Sequence, residues 1–73
     1  MLVKLNKKLY KLKAIKSAIK TYRQLADFNL KTKGKYFEVS IKNIDKDVEN
    51  IIKDEFCNYI LFLIKNDFRA QKN

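Results

Sequence analysis

DKDVENIIKDEFCNYILFLIKN, residues Asp45 to Asn66, carries the longest unbroken periodicity in the chain. Val48, Ile51, Ile52, Phe56, Tyr59, Ile60, Leu63 and Ile64 recur at spacings of three and four, which is one face of an α-helix. Asp45 stands where a side chain can cap the first turn, and Asp47 and Glu49 put negative charge at the positive end of the helix dipole. Lys65 sits at the opposite, favourable end. No Gly or Pro interrupts the run. The spacing predicts a helix over about 45–66, roughly 30 Å long, against which the rest of so short a chain must pack.

The second half of this helix is richer in apolar residues than one core requires. Tyr59, Ile60, Leu63 and Ile64 continue the stripe, whereas Leu61 and Phe62 point elsewhere. A helix that is apolar all round is either enclosed, here by a loop or terminus folding over Phe62, or offers its second face to a partner. The expectation drawn is a partner or self-association surface made of Phe56, Tyr59, Leu61, Phe62 and Leu63.

Length supports the same idea independently. Seventy-three residues make one domain, residues 1–73. A chain of this size buries only about 60% of the surface its unfolded form exposes. Such domains are commonly stapled by disulfides, a metal or oligomerisation. Cys57 is the only cysteine and there is no histidine, so neither an internal disulfide nor a zinc site is expected. Association remains, as a homo-oligomer or a hetero-complex.

Working outward, Tyr36-Phe37-Glu38-Val39-Ser40-Ile41 and Asp27-Phe28-Asn29-Leu30-Lys31 each alternate apolar with polar, the mark of half-buried strands. Lys33-Gly34-Lys35 between them holds the only glycine, and glycine supplies the positive φ of a tight turn. A β-hairpin over about 26–42 follows. Upstream, Leu12, Ile15, Ala18, Ile19, Tyr22, Leu25 and Ala26 show helical spacing, which predicts a helix over about 11–25. Lys11 is a poor cap for it, so its start is frayed or capped from elsewhere, for example by Asn6. Met1 to Leu5 alternates and is taken as a short strand over about 1–6. Residues 67–73 are expected to fray, with Phe68 folded back.

The order strand, helix, strand, strand, helix predicts an α+β fold. Its form is a two-layer sandwich, a three-stranded antiparallel sheet with both helices on one face. The open sheet face would carry Asp27, Asn29, Lys31, Tyr36, Glu38 and Ser40. The first strand would be an edge unless a second copy covered it.

Charge is lopsided. Met1 to Lys35 contains eleven basic residues and one acidic, a net of +10, while Tyr36 to Asn73 nets −1. Lys13, Lys16, Lys20 and Arg23 align along the first helix at spacings of three and four. One interpretation is phosphate contact with RNA or DNA, helped by Lys31, Lys33 and Lys35 of the hairpin. Another is a solvated face in a lysine-rich proteome, and a third is an acidic protein partner. Only two arginines occur, no aromatics interleave with the row, and no helix-turn-helix or RNA-binding signature is present.

Catalytic chemistry has little to build on. No histidine is present for acid–base work, and Cys57 lies beside the core stripe with no imidazole partner. The carboxylates Asp45, Asp47, Glu49, Asp54 and Glu55 are expected to be solvated or salt-bridged. One glycine makes no phosphate loop. The chain is expected to be non-enzymatic and to use no cofactor or metal. Glu55 and Asn58, at i and i+3 beside the core stripe, either fix register at the margin of a packed surface or simply face solvent. Charges interrupt every apolar run near the N-terminus, which is not that of a signal peptide, and YILFLI is far short of a membrane span. A cytoplasmic location is therefore expected.

Two stretches resemble a known family. Leu9-Tyr10, Ala14-Ile15, Ala18-Ile19, Tyr22 and Ala26 are similar to the opening of HxsD-like proteins of the His-Xaa-Ser system. Glu55-Phe56-Cys57-Asn58-Tyr59-Ile60-Leu61 resembles that family's Glu-Phe-x-Asn-x-x-Leu segment on the last helix. The likeness runs from about Leu5 to Lys65, and departs from the pattern at Lys11, where a capping serine is common. It implies a small accessory protein of a system in which radical enzymes modify a peptide bearing His-Xaa-Ser repeats. A looser analogy of element order links the chain to the smallest, dimerising subunit of the KEOPS tRNA-modification complex. The two function classes that follow are an accessory protein acting by association and a basic nucleic-acid-associated subunit.

Overall fold

Leu2–Asn6 (β1), Leu12–Tyr22 (α1), Asp27–Lys33 (β2), Tyr36–Lys42 (β3) and Ile52–Lys72 (α2) follow one another along the chain. They are seen in a computed structural model that describes the backbone of residues 1–72 and the side chains of residues 1–66. Each strand forms where apolar and polar residues alternate. Val3 and Leu5 of β1 and Phe37, Val39 and Ile41 of β3 are buried, and Phe28 and Leu30 of β2 are half-buried.

The sheet order is β1-β3-β2, antiparallel at both junctions. The register sets Val3 opposite Val39 and Leu5 opposite Phe37 on one side of β3. On the other side it sets Phe28 opposite Ile41 and Leu30 opposite Val39. One face of the sheet is thus a continuous apolar surface. Ala14, Ile15 and Ala18 of α1 and Ile52, Phe56 and Ile60 of α2 complete the core on it. The fold is the α+β arrangement expected, with the two helices packed together over the sheet.

The β2–β3 turn is Gly34-Lys35, with Gly34 at φ +57° in its first central position. That is where a two-residue hairpin of the II′ kind needs a left-handed residue. Asn43, φ 51°, ends β3 in the same region and donates from Nδ2 to Asp27 Oδ2 at 2.7 Å.

Four boundaries differ from the sequence expectation. Lys11 does make no side-chain cap bond, but Asn6 does not cap α1 either. Its Oδ1 accepts the Lys8 N–H at 2.7 Å and its carbonyl accepts those of Leu9 and Tyr10, closing the turn before the helix. At the other end α1 stops at Tyr22 rather than residue 25. The Leu25 N–H turns back to the Tyr22 carbonyl, and the Leu25 carbonyl accepts the Asp45 N–H at 2.8 Å.

The third difference concerns residues 45–51, which form turns before α2 instead of its first two turns. The Asp45 carboxylate does accept the Asp47 N–H at 2.9 Å, as a cap would. The Val48 and Ile51 amides then bond three residues back, to Asp45 and Val48. Asp, Asn and Val are weak helix formers, and Asx side chains compete for the backbone, so the tighter turn prevails. One consequence is that Ile51, placed on the core stripe by its spacing, is 51% exposed.

Aromatic rings run from the sheet to the surface of α2. Phe28 meets Phe56 at 5.0 Å between centroids, Tyr22 meets Phe56 and Tyr59 edge-on at 6.2 and 5.6 Å, and Tyr59 stacks with Phe62 at 6.2 Å. The fourth difference is at the far end, where the expected stop near residue 66 with 67–73 frayed gives way to a helix that continues to Lys72; whether Phe68 folds back falls on side chains outside the described residues.

Candidate functional site

The five residues expected to form one association surface occupy different depths of α2. Phe56 is fully buried, with Tyr22 and Phe28 on it, and is corrected to a core residue. Tyr59 and Leu63 are half-buried against the core. Leu61 and Phe62 stand out, 46% and 55% exposed. They lie about 100° apart around the helix, on either side of a line through exposed Asn58 and Lys65. The second apolar face foreseen for α2 is therefore these two side chains, backed by Tyr59. Glu55 and Asn58 face solvent.

Lys13, Lys16, Lys20 and Arg23 are all exposed, along the side of α1 away from Ala14, Ile15 and Ala18. The hairpin lysines Lys33 and Lys35 belong elsewhere. β1 ends and β3 begins at the same edge of the sheet, where Asn6 pairs with Tyr36. There the Lys7 N–H donates to the Lys35 carbonyl at 3.0 Å. The β1–α1 link and the hairpin turn are thus tied together, and a cleft of about 520 Å³ opens between them, lined by Asn6, Lys7, Lys8, Gly34, Lys35 and Tyr36. Lys33 is the register partner of Tyr36 on the β2 side.

Lys7, Lys8 and Tyr36 were not foreseen as site residues. Asn6-Lys7-Lys8 looks like a plain polar break in the sequence. Once β1 and β3 are antiparallel neighbours, that break must lie beside Lys35-Tyr36. At the opposite end of the sheet a smaller depression of about 200 Å³ holds Asp27, Lys42 and Asn43. Charge is matched there, because Asp27 is the register partner of Lys42 and accepts from Asn43.

Cys57 is half-buried. Burial pushes its thiol up, with Lys53 opposing and Asp54 adding, so the thiolate that a nucleophile needs is disfavoured. Tyr22 is likewise held protonated beyond its ordinary range, first by burial and then by the charges of Glu55 and Tyr59. Among the described residues no cluster of three His, Cys, Asp or Glu side chains could hold a metal ion, and no helix is long and apolar enough to cross a membrane. Comparison of the chain with protein-family models, with curated proteins and with solved structures gives no match.

Proposed function

We propose that the chain is a small non-enzymatic accessory module that acts by protein–protein association through the outward side of α2. The observation that supports this is the exposure of Phe62 and Leu61 beyond a core already closed by Ile52, Phe56 and Ile60. Burying what these two leave in water would contribute on the order of 1 kcal/mol each. A second copy of the chain is the partner proposed. A core this small is commonly stapled from outside, and a single cysteine cannot do it from within. The lack of histidine and the raised Cys57 thiol favour a binding role over a catalytic one. The likeness of Glu55 to Leu61 to the HxsD-like segment supports the same role, as an accessory protein of a His-Xaa-Ser type system.

Light scattering with nucleic acid removed, at low and high salt, tests the proposal. The expected result is a dimer that persists in high salt and becomes a folded monomer in Phe62→Glu. A folded wild-type monomer at every concentration would remove self-association from the proposal.

A further inference from the structure

We infer that the end of the open sheet face around Tyr36, with Lys8, Lys33 and Lys35, is a binding site for single-stranded nucleic acid. Phe37 is buried, so its strand neighbour Tyr36 lies on the opposite, open face, where it is 44% exposed. Asn6 on one side and Lys33 on the other share its cross-strand row. An aromatic ring on a flat sheet offers a platform for a base, an amide offers bonds to a base edge, and lysines meet phosphates.

Charge points to the same ligand. The next row inward is Lys4, Glu38 and Lys31, so Glu38 already faces a cation on each side. Asp27 is matched to Lys42 and Asn43. Among the described residues no carboxylate lines the cleft, which leaves Lys8 and Lys35 without a countercharge in it, and Lys33 stands beside it as the register partner of Tyr36. Lys7 Nζ lies 5.5 Å from the centroid of the Phe37 ring, on the face opposite Tyr36, so its ammonium is not one of those beside the tyrosine. A polyanion therefore fits the cleft by charge. Tyr36 narrows the choice, because a duplex keeps its base faces stacked and has none to lay on an exposed ring.

The site is separate from the basic row of α1, and this makes it testable. A fluorescent oligouridine of about 12 nucleotides is titrated with the protein, followed by anisotropy, over a range of salt. Three phosphate contacts on a single strand give a slope of log affinity on log salt of about −2. Tyr36→Ala is expected to weaken binding about tenfold, and Tyr36→Phe to restore it. Lys8→Gln with Lys35→Gln should flatten the slope by about 1.4. Lys16→Gln with Lys20→Gln should leave affinity and slope nearly unchanged. Phe62→Glu should bind as wild type, which separates this site from association through α2. The proposal is overturned if Tyr36→Ala binds as wild type, or if a duplex of equal length binds as tightly. Equal loss in the α1 pair, or equal competition by a polyglutamate peptide, overturns it too. Thermal melts by circular dichroism confirm that each variant is folded.

Discussion

The two helices cover the same sheet face and yet present opposite kinds of outer surface. On α1 the division is nearly clean, with Ala14, Ile15 and Ala18 buried and Lys13, Lys16 and Lys20 exposed; only its first residue, Leu12, expected on the apolar stripe, stands 38% exposed. On α2 the buried side is as regular, at Ile52, Phe56 and Ile60, but the outer side still shows Leu61 and Phe62 to water. A charged outer face is accounted for by solvation alone. An apolar one is unexplained by the core it does not enter, which is why the association proposal rests on α2 and not on α1. The helices also differ in how they are held. α1 is only 11 residues long and has no side-chain cap, so its stability derives chiefly from the packing of its alanine face.

The sharpest way to break this comparison is within α2 itself. Phe56→Ala should lose about 3–5 kcal/mol of unfolding free energy in a urea titration, because a fully buried ring leaves a cavity between α1, α2 and the sheet. Phe62→Ala in the same assay, on protein dilute enough to be monomeric, should lose less than about 1 kcal/mol, the size of its stacking on Tyr59. Comparable losses would mean that Phe62 belongs to the core after all. On α1 the corresponding change is an addition. Ala18→Leu should destabilise by about 1–3 kcal/mol by overpacking a site with no exposed surface.

A smaller effect reports on the contact between the helices. The Tyr22 hydroxyl keeps its proton in the folded chain past the ordinary value of 10.0, at which the unfolded chain releases it. Its contribution to stability is therefore complete below about pH 10 and is lost as the pH rises through the raised value. Melting temperature should fall across that range, and Tyr22→Phe should make the fall shallower. A residual slope should begin lower, near the ordinary thiol value of 9.0, because Cys57 is raised in the same direction. An unchanged slope in Tyr22→Phe would place the alkaline loss outside the α1–α2 contact.

Much of this architecture can be read from residue types. Alternation at Asp27 to Lys31 and at Tyr36 to Ile41 marks both hairpin strands, and Gly34 marks the turn. The start of α2 is harder, because Val48 and Ile51 keep helical spacing while Asp45, Asp47 and Asn50 favour turns; local hydrogen bonding wins, and Ile51 ends in solvent. Phe56 stands on the core stripe and yet is expected on the partner surface too, since spacing gives the side of a helix and not the depth of what covers it. Tyr22 and Phe28 supply that cover from elements 34 and 28 residues away. The lysine cleft is least legible. Lys7 and Lys35 become neighbours only through the pairing of β1 with β3, and no local pattern carries that pairing.

The position of β3 has a consequence for how the chain assembles. β1 and β2 share no ladder, so every hydrogen bond between strands of this sheet involves β3. The hairpin closes a loop of two residues, whereas pairing Leu2 with Ser40 brings together positions 38 apart. Loop closure makes the first event fast and the second slow. During synthesis β1 emerges first and finds its partner last, after β3 has paired with β2. Until then Val3 and Leu5 stay open to any other unpaired strand, and the interval in which this chain is most prone to wrong partners is set by the time needed to make residues 7–42.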